Sequence, residues 1–365
     1  MSIIDWFSKQ FNHDSKHYVL TRVPTDTVVS TKFVANKHYF RLWLAEMYLK
    51  NDGSLFRSYS PVVQSAVEIK VGSKDSETFP YIAGPLNLNL DKNTLGRGVK
   101  IDFQLTNLIP YRGGNLSICA GLFAYVEKDY FQEFLGVLNN ISKYLTLGQL
   151  SSVLNVTNTV VSGFQSLLNL DDKHLHLVYQ QGFGGTGPDG GSELENGYFA
   201  VINADASQFD KSKLFVKNSQ LHFGNDLESC RPLEGYDYML FRIECASTKS
   251  DYLEVAGLRE LYNKAVEKGM SDKAEGYGII KSAIILALNS LDLTQNDAIR
   301  VGLALKKSYE EALSLNEFNN KVLSINPDQL YSIVTPILEG QKHSEDTILK
   351  IIEDKDLITK LNMNS

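Results

Sequence analysis

Glycine, histidine and carboxylate residues gather in one stretch of the chain, and each grouping has a chemistry it could serve. Gly182-Phe183-Gly184-Gly185-Thr186-Gly187 fits the GxGxxG pattern and follows a strand-like run. A dinucleotide cradle needs a helix to open at the third glycine, so that its N-terminus meets the pyrophosphate. Here Pro188-Asp189-Gly190-Gly191 comes next and the following element reads as a strand. Loop 182–191 therefore reads as a hairpin connection, with ligand binding left open. His174 and His176 flank Leu175 on a predicted strand and share a face, with Asp171 and Asp172 just before them. That set contains oxygen and nitrogen donors a metal could use, yet two histidines do not make a site, and a surface pair is the plainer reading.

The other histidines, His13, His17, His38, His222 and His343, are scattered. There is no GxSxG elbow, HExxH pair, GxxxxGK loop or cysteine in an activating context. Asp205 with Asp210, and Glu193 with Glu195, lie in polar segments and read as solvated loops rather than acid–base pairs. If residues 55–126 formed an eight-stranded sandwich, Asp52, Asp75, Asp91 and Asp129 could gather at one end and take Ca²⁺, but no spacing demands it. The sequence assigns no catalytic, cofactor-binding or metal-ligating residue, and a non-enzymatic protein is expected.

These residues need elements to hold them, and 365 residues suffice for two or three domains. The chain is 43% hydrophobic and 22% charged, which excludes disordered and collagen-like classes. Lys plus Arg number 36 against 43 Asp plus Glu, a net charge of -7. That balance argues against a phosphate-binding face over the whole molecule, so no nucleic acid is expected. Cys119, Cys230 and Cys245 are isolated and odd in number, reading as small apolar residues of a reducing compartment. Residues 1–13 lack the features of a secretory signal, which predicts a cytoplasmic protein and makes the sequons at Asn115, Asn140 and Asn155 chance matches.

Ile3, Ile4, Phe7 and Phe11, with Trp6 beside them, predict an amphipathic docking helix within residues 1–17. From Tyr18 the runs become β-branched and aromatic with Gly, Pro and Asn-Asp-Gly punctuation, predicting strands over 18–22, 33–48, 62–71, 79–83, 99–105, 116–126, 175–181, 197–203, 214–217 and 236–245. Residues 40–49 fit a helix as well, with strand preferred. Between them, 130–170 has a period of 3.6 and reads as a helical hairpin, with only Glu133 and Lys143 charged from Gln132 to Leu170. After 251 the pattern is helical: 253–268, 272–289, 297–315, 328–338 and 344–361, with Ser271 and Ser344 as N-caps. The predicted domains are thus 1–17, a β region over 18–250 that carries the hairpin, and a helical domain over 251–365.

Tyr39-Phe40-Arg41-Leu42-Trp43-Leu44-Ala45, Tyr59-Ser60-Pro61-Val62-Val63, Pro110-Tyr111-Arg112-Gly113-Gly114 with Gly121-Leu122, and Tyr238-Met239-Leu240-Phe241-Arg242-Ile243-Glu244 together resemble an uncharacterised bacterial family of multi-gene conflict and defence loci. The resemblance spans roughly residues 35–310 and implies an accessory or subunit role, with no catalytic residue to carry over. The alternation over 99–126 is similar to a C2-like β-sandwich, an analogy of fold alone. The expected fold is therefore α+β: a C2-like antiparallel β-sandwich carrying a helical hairpin, followed by an α-helical C-terminal domain. The expected function is binding of other proteins, encoded nearby, through Trp6 and Phe7 on the first helix and Ile348, Ile351 and Ile352 on the last. The alternative is a membrane-associating effector that uses Leu150, Val153, Leu154, Val161, Phe164 and Leu168 of the hairpin.

Overall fold

Among the described residues, strands dominate up to Ala246 and helices with a period-3.6 apolar face follow. The computed structural model describes residues 3–14, 18–25, 30–50, 59–70, 76–83, 99–126, 173–183 and 193–313. Its elements are α1 (Ile3–Asp14), β1 (Tyr18–Val23), β2 (Tyr39–Tyr48), β3 (Tyr59–Lys70), β4 (Ser76–Ala83), β5 (Val99–Gln104), β6 (Ile109–Pro110), β7 (Leu116–Val126) and β8 (Lys173–Phe183). There follow β9 (Gly197–Asn203), β10 (Leu214–Lys217), β11 (Gln220–Phe223), β12 (Arg231–Pro232), β13 (Tyr238–Ala246), α2 (Leu258–Ser271), α3 (Lys273–Leu288) and α4 (Gln295–Leu313). The fold is mixed α+β with antiparallel sheets, and it divides into a β-rich unit and a helical unit.

In the β-rich unit a six-stranded sheet runs in the order β1-β9-β13-β2-β5, with β6 on β2. A four-stranded sheet runs β4-β3-β7-β8 and a small one β10-β11-β12. Strand β9 is buried on both faces, which explains its nearly unbroken apolar run. Tyr198, Ala200 and Ile202 on one face join Leu214, Val216 and Leu221 of the small sheet in one core. On the other, Phe199 stacks 5.2 Å from Phe241, and Tyr179 of β8 lies 5.3 Å from Phe199. Strand β7 pairs with β3 and with β8, the latter ladder running from Leu116 opposite Phe183 to Tyr125 opposite Lys173.

Helix α1 spends its apolar face inside the protein. Ile3 and Phe7 are buried, Phe7 at 0% exposure, and the Trp6 ring lies 6.1 Å from that of Phe123 on β7. Gly121 makes room, since a Cβ there would approach the Phe7 ring to 3.2 Å. This corrects the assignment of Phe7 to a partner: the helix docks on its own sheet, because β7 offers a gap that an aromatic side chain fills.

Four local expectations also need correction. The strand expected from Phe33 begins at Tyr39, because residues 35–37 turn through Asn36 at φ 63°. The helix expected from Leu253 begins at Leu258, after a short 3₁₀ turn over Tyr252–Glu254 and Gly257 at φ 76°. Ser271 closes α2, its Oγ donating to the Lys268 carbonyl, and the cap of α3 is Asp272, whose Oδ1 accepts from the N–H groups of Ala274 and Glu275. Strand β11 was missed, although Asn218 and Ser219, at φ 53° and 61°, form the two-residue turn that joins it to β10.

In the helical unit, Ala265 of α2, Ile280, Ala283 and Ile284 of α3, and Val301, Leu305 and Tyr309 of α4 share one core. The α2–α3 elbow is tight: a Cβ on Gly276 would sit 2.4 Å from the Gly269 Cα and 2.5 Å from the Tyr309 hydroxyl. Among the described residues, no helix is long and apolar enough to cross a membrane. The hairpin 130–170 with its candidate membrane residues, the helices expected after 313 with Ile348, Ile351 and Ile352, and the loop aspartates Asp52, Asp75, Asp91 and Asp129 lie outside the described residues.

Candidate functional site

Two edge strands build a crevice in the β-rich unit. Strand β1 ends the six-stranded sheet and β8 ends the four-stranded one. On β1, Val19 and Val23 turn to the core shared with the small sheet. Period two therefore sends Leu20 and Arg22 to the other face. On β8 the same rule aligns Tyr179, Gln181 and Phe183. Between these rows lies a crevice of about 300 Å³, lined also by Phe199 and Ile243. That is the lower end of the range for ligand pockets, room for one apolar side chain or a small molecule.

The mouth is polar and internally matched. The Arg22 guanidinium donates through Nη1 to Glu195 Oε2 and through Nη2 to the Asn196 carbonyl. Ser30 Oγ donates to the same Glu195 oxygen at 2.7 Å. The Ser30 hydrogen bond, with the Arg22 charge behind it, holds the Glu195 carboxyl below its ordinary range against the opposing effect of burial. Gly197 is required twice over. Its φ of +134° disfavours any side chain, and a Cβ would lie 3.0 Å from Arg22 Nη2. Beside this clasp, Lys32 Nζ pairs with Glu193 at 2.5 Å, both ends in solvent. Two cations thus meet two carboxylates at the rim. The wall hydroxyl, Tyr179, is pushed well above its ordinary range by burial and stays protonated.

These groups can hold a molecule: aromatic and aliphatic walls for an apolar moiety, and at the entrance a guanidinium that can exchange acceptors. Glu193 and Glu195, read from sequence as solvated carboxylates, sit at this entrance. Arg22 and Gly197 were overlooked. The available signal was a lone arginine among the apolar residues of Tyr18–Val23.

The other sequence candidates serve the fold. His176 is half-buried on β8, with Nδ1 3.2 Å from Asp237 Oδ2. Asp237 Oδ1 accepts the Lys50 N–H at 2.6 Å, and Asn203 Nδ2 donates to the His176 carbonyl. The histidine thus braces the two sheets. The side chain of His174 and residues Asp171 and Asp172 lie outside the described residues. Among the described residues no group of three or more His, Cys, Asp or Glu is placed to hold a metal ion. Asp205 accepts from the N–H and hydroxyl of Ser207, and Asp210 does the same for Ser212, so both carboxylates stabilise turns. In the glycine pattern, Gly182 is exposed near the end of β8 and Phe183 is a crevice wall, while 184–192 lie outside the described residues. No protein-family model matches this chain, and no curated protein matches it.

Proposed function

We propose that this chain is a non-enzymatic interaction protein, an accessory subunit that holds a partner protein by an apolar side chain inserted into the crevice between β1 and β8. The observation that carries this reading is the crevice itself: a preformed space of about 300 Å³ with aliphatic and aromatic walls and a charge-matched rim. Such a site favours an apolar anchor on a neutral polar background, the form in which a few buried side chains supply most of an interface's affinity. The contact of Tyr179 with Phe199 supports reading the two larger sheets as a C2-like sandwich. The resemblance to bacterial defence-locus proteins adds a cytoplasmic multi-protein system as the setting. Ile348, Ile351 and Ile352 remain in the proposal as a further contact.

The test is affinity purification from the native host, with soluble and membrane fractions kept apart. Wild-type chain is compared with Leu20→Asp and Phe183→Ser, each checked for unchanged circular dichroism. A partner recovered stoichiometrically from the soluble fraction by the wild type and lost by both variants is the expected result. A partner retained by both variants would move the interface away from the crevice. Recovery mainly in membranes, without a partner, would favour the alternative built on 131–170.

A further inference from the structure

Strands β2 and β13 are neighbours in the six-stranded sheet, and their side chains change character along one face. Tyr238 and Leu240 of β13 lie under the small sheet, in the core that also holds Leu214, Leu221 and Leu233. Two residues further, the same face carries Arg242 and then Glu244, beside Arg41 and Trp43 of β2. This is the opposite face from Ile243 and the crevice. The Arg242 guanidinium carbon lies 4.6 Å from the centre of the Trp43 ring and that of Arg41 5.6 Å. Trp43 Nε1 donates to Glu244 Oε2 at 2.6 Å, and Arg41 Nη1 is 3.7 Å from the same oxygen.

We infer that this Trp43-centred end of the sheet is a docking site for an acidic segment of a partner protein, with Arg242 receiving a carboxylate. Glu244 is engaged by Trp43 and Arg41, which leaves Arg242 with no carboxylate among the described residues. The Nε atoms of both arginines are buried without a hydrogen-bond partner. Its place over the indole holds the Arg242 guanidinium but uses none of its N–H donors. A planar fork held in place matches a carboxylate in two-point geometry. Two guanidinium groups and one carboxylate leave a single positive charge on a chain of net charge -7. One incoming carboxylate neutralises the cluster, whereas a polyanion would meet both Glu244 and the negative chain. The half-buried indole supplies apolar contact beside the charge. The inference rests on the reading of the chain as a protein-binding subunit, at a second surface.

The experiment uses the full chain with Trp6→Phe, so that Trp43, the other of its two tryptophans, is the sole indole emitter. It is titrated with a short peptide of alternating glutamate and serine, the lysine counterpart, inorganic phosphate and an oligothymidylate of matched length. The acidic peptide should give a saturable change in Trp43 emission that weakens about tenfold with added salt and about tenfold in Arg242→Gln. Glu244→Gln, which keeps an acceptor for Trp43, should bind it several-fold more tightly; this second variant decides the matter if Arg242→Gln does not fold. No saturable response to the acidic peptide, equal response in a folded Arg242→Gln variant, or tighter binding of phosphate or the oligonucleotide would overturn the assignment. The titration needs no native partner, so its failure is distinct from failure of the crevice reading.

Discussion

The two units each join an arginine to a carboxylate with a hydroxyl beside them, and the surroundings give these sets opposite uses. In the helical unit, Asp297 is fully enclosed, with Oδ1 accepting from Arg300 Nε at 2.5 Å and Oδ2 from the Tyr39 hydroxyl at 2.7 Å and the Lys249 N–H at 2.8 Å. Arg300 also donates to the Lys249 carbonyl, and the Tyr39 hydroxyl accepts from the Thr294 N–H. Burial, reinforced by the Asp297 charge, drives the Tyr39 hydroxyl far above its ordinary value. In the β-rich unit, Arg22 is 47% exposed and Glu195 19%. Water reaches both charged partners of the second set, whereas in the first it reaches only the edge of Arg300 and neither Asp297 nor Tyr39. The same chemical types therefore make a fixture where water is excluded and an exchangeable clasp where it is admitted.

The largest expected effect strikes the fixture. Asp297→Ala leaves the Arg300 charge, the Tyr39 hydroxyl and the Lys249 N–H without their acceptor and should cost about 3–5 kcal/mol in urea denaturation. A cost near that of a surface pair would erase the contrast. Next is Gly276→Ala in the same unit. Helix propensity alone predicts a gain of about 1 kcal/mol, but the new Cβ collides with the Gly269 backbone, so a net loss of about 1–3 kcal/mol is expected from the thermal midpoint. Arg22→Gln should change stability by less than about 1 kcal/mol while weakening capture of the partner in the co-purification assay. Loss of stability comparable to Asp297→Ala would show the clasp to be a fixture as well. The smallest effect is a pH dependence. Because the folded Glu195 carboxyl sits below its ordinary 4.5, its contribution is present above that pH and fades as the pH falls below it through the folded value. The difference in thermal midpoint between wild type and Glu195→Gln should therefore shrink on acidification below about 4.5.

Strands β7, β9 and β10 have the ends expected from sequence, since β-branched and aromatic runs bounded by Gly, Asn and Ser define them locally. Residues 40–49, ambiguous in sequence, fall largely in strand β2, a choice that depends on pairing with β5 and β13. Asp297 and Arg300, three apart on α4, look in sequence like a surface ion pair. Tyr39, 258 positions away, and Lys249, 48 away, make them a buried set. The crevice was hidden for the same reason. Period two tells which residues of β1 share a face, but not that the face meets β8, more than a hundred residues further on. Phe7 was misread because amphipathicity reveals an apolar face and is silent on whether the protein itself or a partner covers it.

The β7–β8 ladder has a consequence for how the chain is assembled. Its last pair sets Tyr125 opposite Lys173, so residues 127–172 leave and rejoin the sheet at points about 5 Å apart. In connectivity β7 and β8 are the paired arms of a β-hairpin, and 127–172 is the sequence between them, at a place where a tight turn would suffice. Loop-closure entropy grows only with the logarithm of length, so carrying it costs the fold roughly 2–3 kcal/mol more than a tight turn. An Asn-Gly turn in place of 126–172, directly between Tyr125 and Lys173, should thus yield a chain that folds with the same sheet and melts higher. The segment would then be a removable cassette, with whatever it does separable from the scaffold that carries it.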